Sequence, residues 1–510
     1  MLRHLSRATL TRGHAFATGA ATPRIAICGA GVSGLTLAGI LSNGTRDVQL
    51  TVFERARRDR DQGYGLDLDE HGQEALVRAG VYDRYWDISY PYSDTAVGYQ
   101  FSGGEPLLNI FWPRLTMRLF PESSAARPET NRGGLRDILL DALAARGNTE
   151  VHYERGAWDC RRLPRGLGRL GAGGAELLDR EGKTLGEFDL VIDAMGLHSP
   201  LRDPVRDLRV VDSVGKHYVG EMLIHGVIND IGKTCPSVAQ RMDRFGTCFT
   251  LGRGYHVTMQ RFGAGADDKR TCLFYHINRP DGEGGVLREM GIDKPTSRST
   301  GIFTGDKLRA AKEWILQDMH ESFDEVWRDA IRGLERVTVR GKYMHGDDTK
   351  LREGLTLPLV CIGDAPRNCG VGGGGNLAMQ DANELATILE ADDAFDEATG
   401  AVNLPPLRAG EAIMFERKEE FHVERLKPPM NTREMVEARG RGPFDWEDFR
   451  EFNPLPSWVP FPVARFAVKR FAALTKAWYA WERKRGGGGT CKGNAPIYAS
   501  VERLLAEQKK

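Results

Sequence analysis

Three glycines and one glutamate carry the first chemical signal in this chain. Gly29, Gly31 and Gly34 stand in the run Gly29-Ala30-Gly31-Val32-Ser33-Gly34, and Glu54 follows 20 residues after the last of them. In this G-x-G-x-x-G pattern the first glycine permits a tight turn. The second lets the backbone approach a pyrophosphate, and the third lets a helix pack closely on a strand. Glu54, followed by Arg55, stands where a carboxylate accepts hydrogen bonds from both ribose hydroxyls. The pattern alone says little in a chain with 60 glycines. Its setting says more. Ile25 to Cys28 is a short apolar strand, Leu37 and Leu41 sit one helical turn apart, and Val48 to Phe53 is a second apolar run. Such a strand, turn, helix, strand unit offers free N–H groups and the positive end of a helix dipole to phosphate. The spacing does not distinguish NAD from FAD.

Further residues able to bind a nucleotide are spread along the chain. Arg57, Arg58 and Arg60 form a cationic loop, partly offset by Asp59 and Asp61. Arginine holds phosphate with paired donors, so this loop favours NADPH over NADH, with Arg60 as the main contact. Asp67, Arg132 and Arg136 come next; taken singly, Asp67 is better read as a turn residue and the two arginines as solvated helix residues. Asp364 precedes a glycine-rich loop holding Gly372 and Gly374, and Asn376 opens the following helical run. No catalytic Ser-His-Asp set and no metal cluster is visible. The eight cysteines are scattered without a C-x-x-C pair, which suggests neither a zinc site nor a disulfide framework.

These residues need a scaffold of more than one domain. The 510 residues are enough for two or three. Residues 23–204 and 343–395 read as one Rossmann-like α/β domain. Residues 205–342 read as an inserted, sheet-rich substrate domain, with strands at Tyr218 to Ile228, Phe249 to Phe262 and Thr271 to Ile277 and a helix from Asp306 to Leu334. His217, His225, His256 and His276 fall in or beside its strands, where any of them can face a substrate or pack. Residues 396–485 read as a C-terminal helical extension, and 486–510 as a Gly-rich linker and short helix. Lysine plus arginine equals aspartate plus glutamate at 70 each, so global charge gives no pointer to nucleic acid. No apolar run reaches the length of a membrane span.

At Arg132 and Asp364 the motifs add up to a family pattern. The chain resembles the FAD-dependent aromatic-hydroxylase type (class A) of flavin monooxygenase, most of all the tetracycline-degrading subgroup and its fungal and bacterial relatives. Five segments run in family order: Gly29 to Gly34 with Glu54; Gly65-Leu66-Asp67-Leu68 with Gly72 to Ala75; Asn131-Arg132 with Leu135-Arg136; Asp189 to Gly196 with Ser199 and Arg202; and Cys361 to Ala365 through Asn376 to Ala382. The resemblance stops about a hundred residues short of the C-terminus.

The resemblance implies a Rossmann-like FAD-binding domain of p-hydroxybenzoate-hydroxylase type with an antiparallel-sheet substrate domain. It implies FAD held at the adenosine ribose by Glu54, contacted by Asp67, Arg132 and Arg136, and bound along the ribityl chain by Asp364. Gly372, Gly374 and Asn376 then bring backbone against the isoalloxazine, and Arg60 matches a position implicated in NADPH binding. The implied activity uses NAD(P)H and O2 to hydroxylate an aromatic or polycyclic small molecule through a flavin C4a-hydroperoxide. Two departures stand out. Met195-Gly196 replaces the family's Asp-Gly. After Asp364, Ala365-Pro366-Arg367-Asn368-Cys369-Gly370 replaces its Ala-His and proline run, in a loop about two residues shorter. The altered loop keeps two other readings open: an FAD oxidoreductase without oxygen insertion, and a flavin-binding structural or assembly subunit.

The chain ends carry their own signals. Residues 1 to 46 hold no Asp or Glu, and Arg3, Arg7 and Arg12 alternate with leucine and hydroxyl residues. That is transit-peptide composition over about residues 1–22, pointing to a mitochondrion before a plastid, with a cytoplasmic tail as the alternative. Within residues 461–484, Val463, Ala467, Phe471, Leu474, Trp478 and Trp481 make an apolar helical stripe among basic residues. It fits a peripheral membrane contact, the protein body or a partner subunit.

Overall fold

A computed structural model describes residues 22–60, 65–90, 96–100, 106–109, 127–163, 174–202, 211–212, 216–242, 246–263, 270–292, 302–346, 349–351, 355–368, 374–396, 398–425, 442–443 and 498–508. The basic N-terminal stretch, Gly372 and the 461–484 stripe lie outside them. Five parallel strands form the first sheet, in the order Leu359–Cys361, Leu190–Asp193, Arg24–Cys28, Gln49–Phe53, Thr149–His152. The central strand Arg24–Cys28 pairs on both sides and is covered on both faces, so its Ile25, Ala26, Ile27 and Cys28 are all fully buried. The chain leaves that strand toward Gln49–Phe53 on one side and later returns on the other. The strand order therefore reverses at the carboxyl end of Arg24–Cys28, where open α/β sheets bind ligands.

Helices Val32–Asn43, Arg132–Arg146 and Gly374–Glu390 pack over this sheet. Helix Arg132–Arg146 starts at Asn131, whose side chain accepts the Gly134 N–H at 3.0 Å, and stops at Gly147 with φ +75°. The six described cysteines are buried and unbridged. Among the described residues no helix is long and apolar enough to cross a membrane.

The second sheet is mainly antiparallel and is built around the long strand Lys216–Ile228, which lies between Arg336–His345 and Thr271–Asn278. Much of it alternates in burial, as along Tyr255–Arg261. Met222, Ile224, Tyr275, Ile277, Tyr255 and Val257 bury one face under helices Gly305–Asp318 and Glu325–Arg332. Tyr255 is therefore a core residue. The segment read as one strand from Phe249 to Phe262 is a hairpin, Thr247–Arg253 and Tyr255–Arg261, turning at Gly254 with φ +77°. The single helix read over Asp306 to Leu334 is two helices. Asp324 caps the second by accepting the Val326 N–H at 3.1 Å, which ends any continuous ladder there.

Domain membership is less sequential than the chain order. Ala96–Gln100 and Pro106–Asn109 come from the first stretch but join the second sheet, Ala96–Gln100 pairing in parallel with Thr247–Arg253. Helix Leu404–Arg425 packs on the first body, and so does the final helix Ala499–Glu507. Val501 is fully buried there, and Gln508 Nε2 donates to the Val77 carbonyl at 2.8 Å.

Candidate cofactor-binding site

The fingerprint turn is sterically forced to be glycine at two positions and is open at the third. A Cβ on Gly29, at φ +108°, would lie 2.6 Å from the Ala194 carbonyl oxygen. One on Gly34 would lie 2.0 Å from the Gly29 carbonyl oxygen. A Cβ on Gly31 would meet nothing within 4 Å. Gly31 instead lines a small cleft with Ala30, Arg132, Leu135 and Arg136 at the start of helix Val32–Asn43. Arg136 Nε is buried there without a hydrogen-bond partner, while its Nη1 donates to the Arg60 carbonyl at 3.2 Å. An open backbone cradle, a helix N-terminus and a buried guanidinium edge fit a pyrophosphate.

Glu54 lies beside this cleft. Its Oε2 accepts the Ala30 N–H at 2.9 Å and its Oε1 the Ala56 N–H at 2.7 Å, which ties the fingerprint turn to the loop that carries Arg55, Arg57 and Arg60. These three arginines line a cavity of about 1030 Å³ together with Trp158, Met195 and, from the second sheet, His225, Arg336 and Arg340. Arg57 is paired with Asp59 at 2.9 Å in solvent.

The other half of the site lies at the start of helix Gly374–Glu390. Asp364 is half-buried, and burial pushes its carboxyl up against the opposing pull of Lys418, Asn368 and Arg132. A Cβ on Gly374 would stand 3.7 Å from Asp364 Oδ1. Asn376 works as a staple: its Oδ1 accepts the Asp69 N–H at 3.1 Å and its Nδ2 donates to the Asp67 carbonyl at 3.0 Å. The Asp67 carboxylate itself pairs with Arg127 at 2.6 Å. The structure thus gathers Gly29, Gly31, Gly34, Glu54, Arg132 and Arg136 at one end, and Asp67, Asp364, Gly374 and Asn376 at the other. Arg132 is near enough to Asp364 to act on its charge.

With this geometry in place, comparison with known proteins becomes informative. No family model matches the chain. Monooxygenase penA of Penicillium thymicola is 24% identical over 416 residues, which span 74% of this chain and 89% of that protein. FAD-dependent monooxygenase adaC of Aspergillus niger is 31% identical over 206 residues, 40% of this chain and 45% of that protein. This chain is a homologue of the FAD-dependent monooxygenases. Among solved structures, Klebsiella pneumoniae HpxO complexed with FAD and uric acid superposes with a TM-score of 0.57 at 17% identity, covering 95% of this chain and 97% of that one. Tetracycline destructase Tet(51) is another structural neighbour, at a TM-score of 0.52. The fold is that of class A flavin monooxygenases, a group of oxidoreductases.

In this monooxygenase homologue several supporting residues escape the sequence motifs. Lys418, from helix Leu404–Arg425, is fully buried and donates to both the Gly363 carbonyl and Asp381. Arg417 donates to the other oxygen of Asp381 at 2.8 Å. In sequence both sit in the run Glu416-Arg417-Lys418-Glu419-Glu420, which looks like any solvated helix face.

Glu129 is a second such residue. It accepts from Thr247 and Gln260 of the second sheet, bridging the two bodies. Burial, with the nearby Asp67 charge, pushes its carboxyl from 4.5 to about 8, against Thr247, Gln260 and Arg127. The folded value exceeds the unfolded one, so the native state holds the extra proton between those two pH values. Stability from this group is complete below the unfolded value and falls as pH rises through the window, by about 1.4 kcal/mol per pH unit. Urea unfolding of Glu129→Gln across that range is expected to lack this slope. An identical pH profile in the variant and the wild type would show that Glu129 does not set it.

Proposed function

We propose that this protein is an FAD-dependent monooxygenase that uses NADPH and O2 to hydroxylate an aromatic or polycyclic small molecule. The observation that carries this reading is the placement of Gly31, Arg132 and Arg136 around one cleft, with Arg132 near enough to act on the charge of Asp364, which stands beside Gly374. Bound FAD would supply the electron transfer and oxygen activation. The protein's own residues hold and orient it. Gly31 and the first turn of Val32–Asn43 receive the pyrophosphate, Arg136 offers it a buried donor, and Glu54 accepts from the ribose. Asp364 accepts from the ribityl hydroxyls, and Asn376 fixes the Asp67 backbone beside them. The second sheet contributes His225, Arg336, Thr338 and Arg340 to the wall of the large cavity.

Glu54→Ala removes a charged acceptor, and a hydrogen bond to a charged group is worth about 1.5–3 kcal/mol. Flavin titration of the apoprotein is expected to show about 10- to 100-fold weaker FAD binding. Unchanged affinity removes Glu54 from the site.

Arg60, on the rim of the large cavity, is the proposed contact for the 2′-phosphate of NADPH. Rapid-mixing flavin reduction with NADPH and NADH is expected to give a preference for NADPH that Arg60→Ala lowers by about ten-fold, the loss of one charge-assisted contact. A ratio unchanged in the variant assigns the phosphate elsewhere. The overall reading is tested by NADPH oxidation with a panel of phenols and polycyclic compounds, scoring hydroxylated product per NADPH. Flavin reduction without oxygenated product from any of them would favour the non-inserting oxidoreductase.

A further inference from the structure

The stretch Ala365-Pro366-Arg367-Asn368, where the sequence departs from the family pattern, is pinned from three sides. Ala365 and Arg367 are buried, at 0% and 3% exposure. The Arg367 guanidinium lies over the Phe415 ring of helix Leu404–Arg425, 5.5 Å from its centroid. Arg202 Nη2 donates to the Pro366 carbonyl at 3.4 Å. The Asn368 N–H donates to Nδ1 of His345 at 2.8 Å. Contacts from three separate elements therefore fix this part of the loop next to Asp364.

Of these contacts, the one to His345 crosses between the two bodies. His345 is the last residue of strand Arg336–His345 in the second sheet, pairs in register with Lys216, and is 1% exposed. The same strand carries Arg336, Thr338 and Arg340 to the large cavity, so it runs from the cavity wall to the cofactor loop. An imidazole nitrogen accepts only without its proton, so His345 is neutral here, with the proton on Nε2. Asn368 carries the contact onward. Its side chain hydrogen-bonds the Asp364 carboxyl and, with Lys418 and Arg132, opposes the rise that burial imposes on that group. Imidazole, backbone amide, side-chain amide and carboxylate thus form one connected row. A carboxylate that receives a ligand binds best when such supporting groups already hold its rotamer.

We propose that His345 and Asn368 are positioning residues for the cofactor. His345 fixes the Asn368 backbone, and the Asn368 side chain then holds the Asp364 carboxylate in the orientation that accepts the ribityl hydroxyls of FAD. Both act through Asp364 and not on the flavin itself. The second sheet thereby supports FAD binding through the end of one strand, in addition to lining the cavity. This rests on the FAD-binding part of the reading above, but on neither NADPH use nor oxygen insertion.

The test is flavin titration of the apoprotein, with thermal unfolding of each apoprotein as the control for folding. Asn368→Ala removes a hydrogen bond to a charged group and is expected to weaken FAD binding by about ten-fold or more. In an Asp364→Ala background the same substitution is expected to cost nothing further, because the two residues act as one unit. His345→Leu removes the acceptor and is expected to match Asn368→Ala. His345→Asn is expected to bind FAD like wild type, since its Oδ1 accepts where Nδ1 did. A role confined to packing gives the reverse order, because Leu fills a buried space better than Asn. Asn368→Ala in its two backgrounds carries the test if a His345 variant fails to fold. Wild-type affinity in Asn368→Ala, a further loss from it in the Asp364→Ala background, or weakened binding by folded His345→Asn overturns the proposal. A wild type that takes up no FAD overturns both this proposal and the reading beneath it. Bound FAD that never yields oxygenated product refutes only the monooxygenase reading.

Discussion

Gly31→Ala is expected to fold normally and lose FAD, whereas Gly34→Ala is expected to lose both stability and FAD. The two substitutions add the same methyl group three residues apart. At Gly31 the new carbon meets nothing within 4 Å, so apoprotein unfolding stays at the wild-type midpoint. The methyl group instead occupies the cleft shared with Arg132 and Arg136. Displacing one charge-assisted hydrogen bond there costs about 1.5–3 kcal/mol, or about 10- to 100-fold in Kd. At Gly34 the new carbon would stand 2.0 Å from a backbone oxygen and 3.2 Å from the Ile27 side chain, so strand and helix must separate. Overpacking of this kind costs about 1–3 kcal/mol or more. Thermal unfolding of the apoproteins and flavin titration separate the two effects. Wild-type FAD affinity in Gly31→Ala would show that the cleft does not receive the pyrophosphate.

The second large effect is expected at Asp381, which never touches the cofactor cleft directly. Asp381 is fully buried and accepts the Gly363 N–H at 2.9 Å, while Lys418 and Arg417 neutralise it from helix Leu404–Arg425. Asp381→Asn leaves the Lys418 ammonium enclosed without its counter-charge. Breaking a buried pair in this way costs about 3–5 kcal/mol. The turn at Gly363, φ +64°, keeps only a neutral acceptor for its N–H, which weakens the placement of Asp364. Urea unfolding should show the loss, and purified variant should carry less flavin. Adding Lys418→Met removes the stranded charge and should recover most of the stability. A single-variant loss below about 1 kcal/mol would show that water or the nearby Asp364 carboxylate compensates for the missing charge.

The sequence by itself determined the local parts of this protein. The fingerprint turn is legible because its demands are backbone demands. A turn at φ +108° and a helix pressed onto a strand select glycine whatever lies elsewhere, and the apolar runs on either side can only be buried strands. Asn131 before Arg132–Arg146 and the run into Gly374–Glu390 are legible for the same reason, since caps and helical periods act over a few residues. Tertiary structure decided what depends on chains that meet from afar. Lys418 is fully buried only because helix Leu404–Arg425 lands behind Gly363, and nothing in its own neighbourhood marks it off from the solvated charges beside it. Glu129 meets Thr247 and Gln260 only because the second sheet docks there, more than a hundred residues later in the chain, and it is burial that raises its carboxyl. Alternation along the strands of the second sheet marks two faces but does not say which face meets the cofactor body. The stacking of His256 on His276, and the contact of Glu221 with His276, came from strand pairing, because register between distant strands is set by packing of the whole sheet and not by the residues of any one strand.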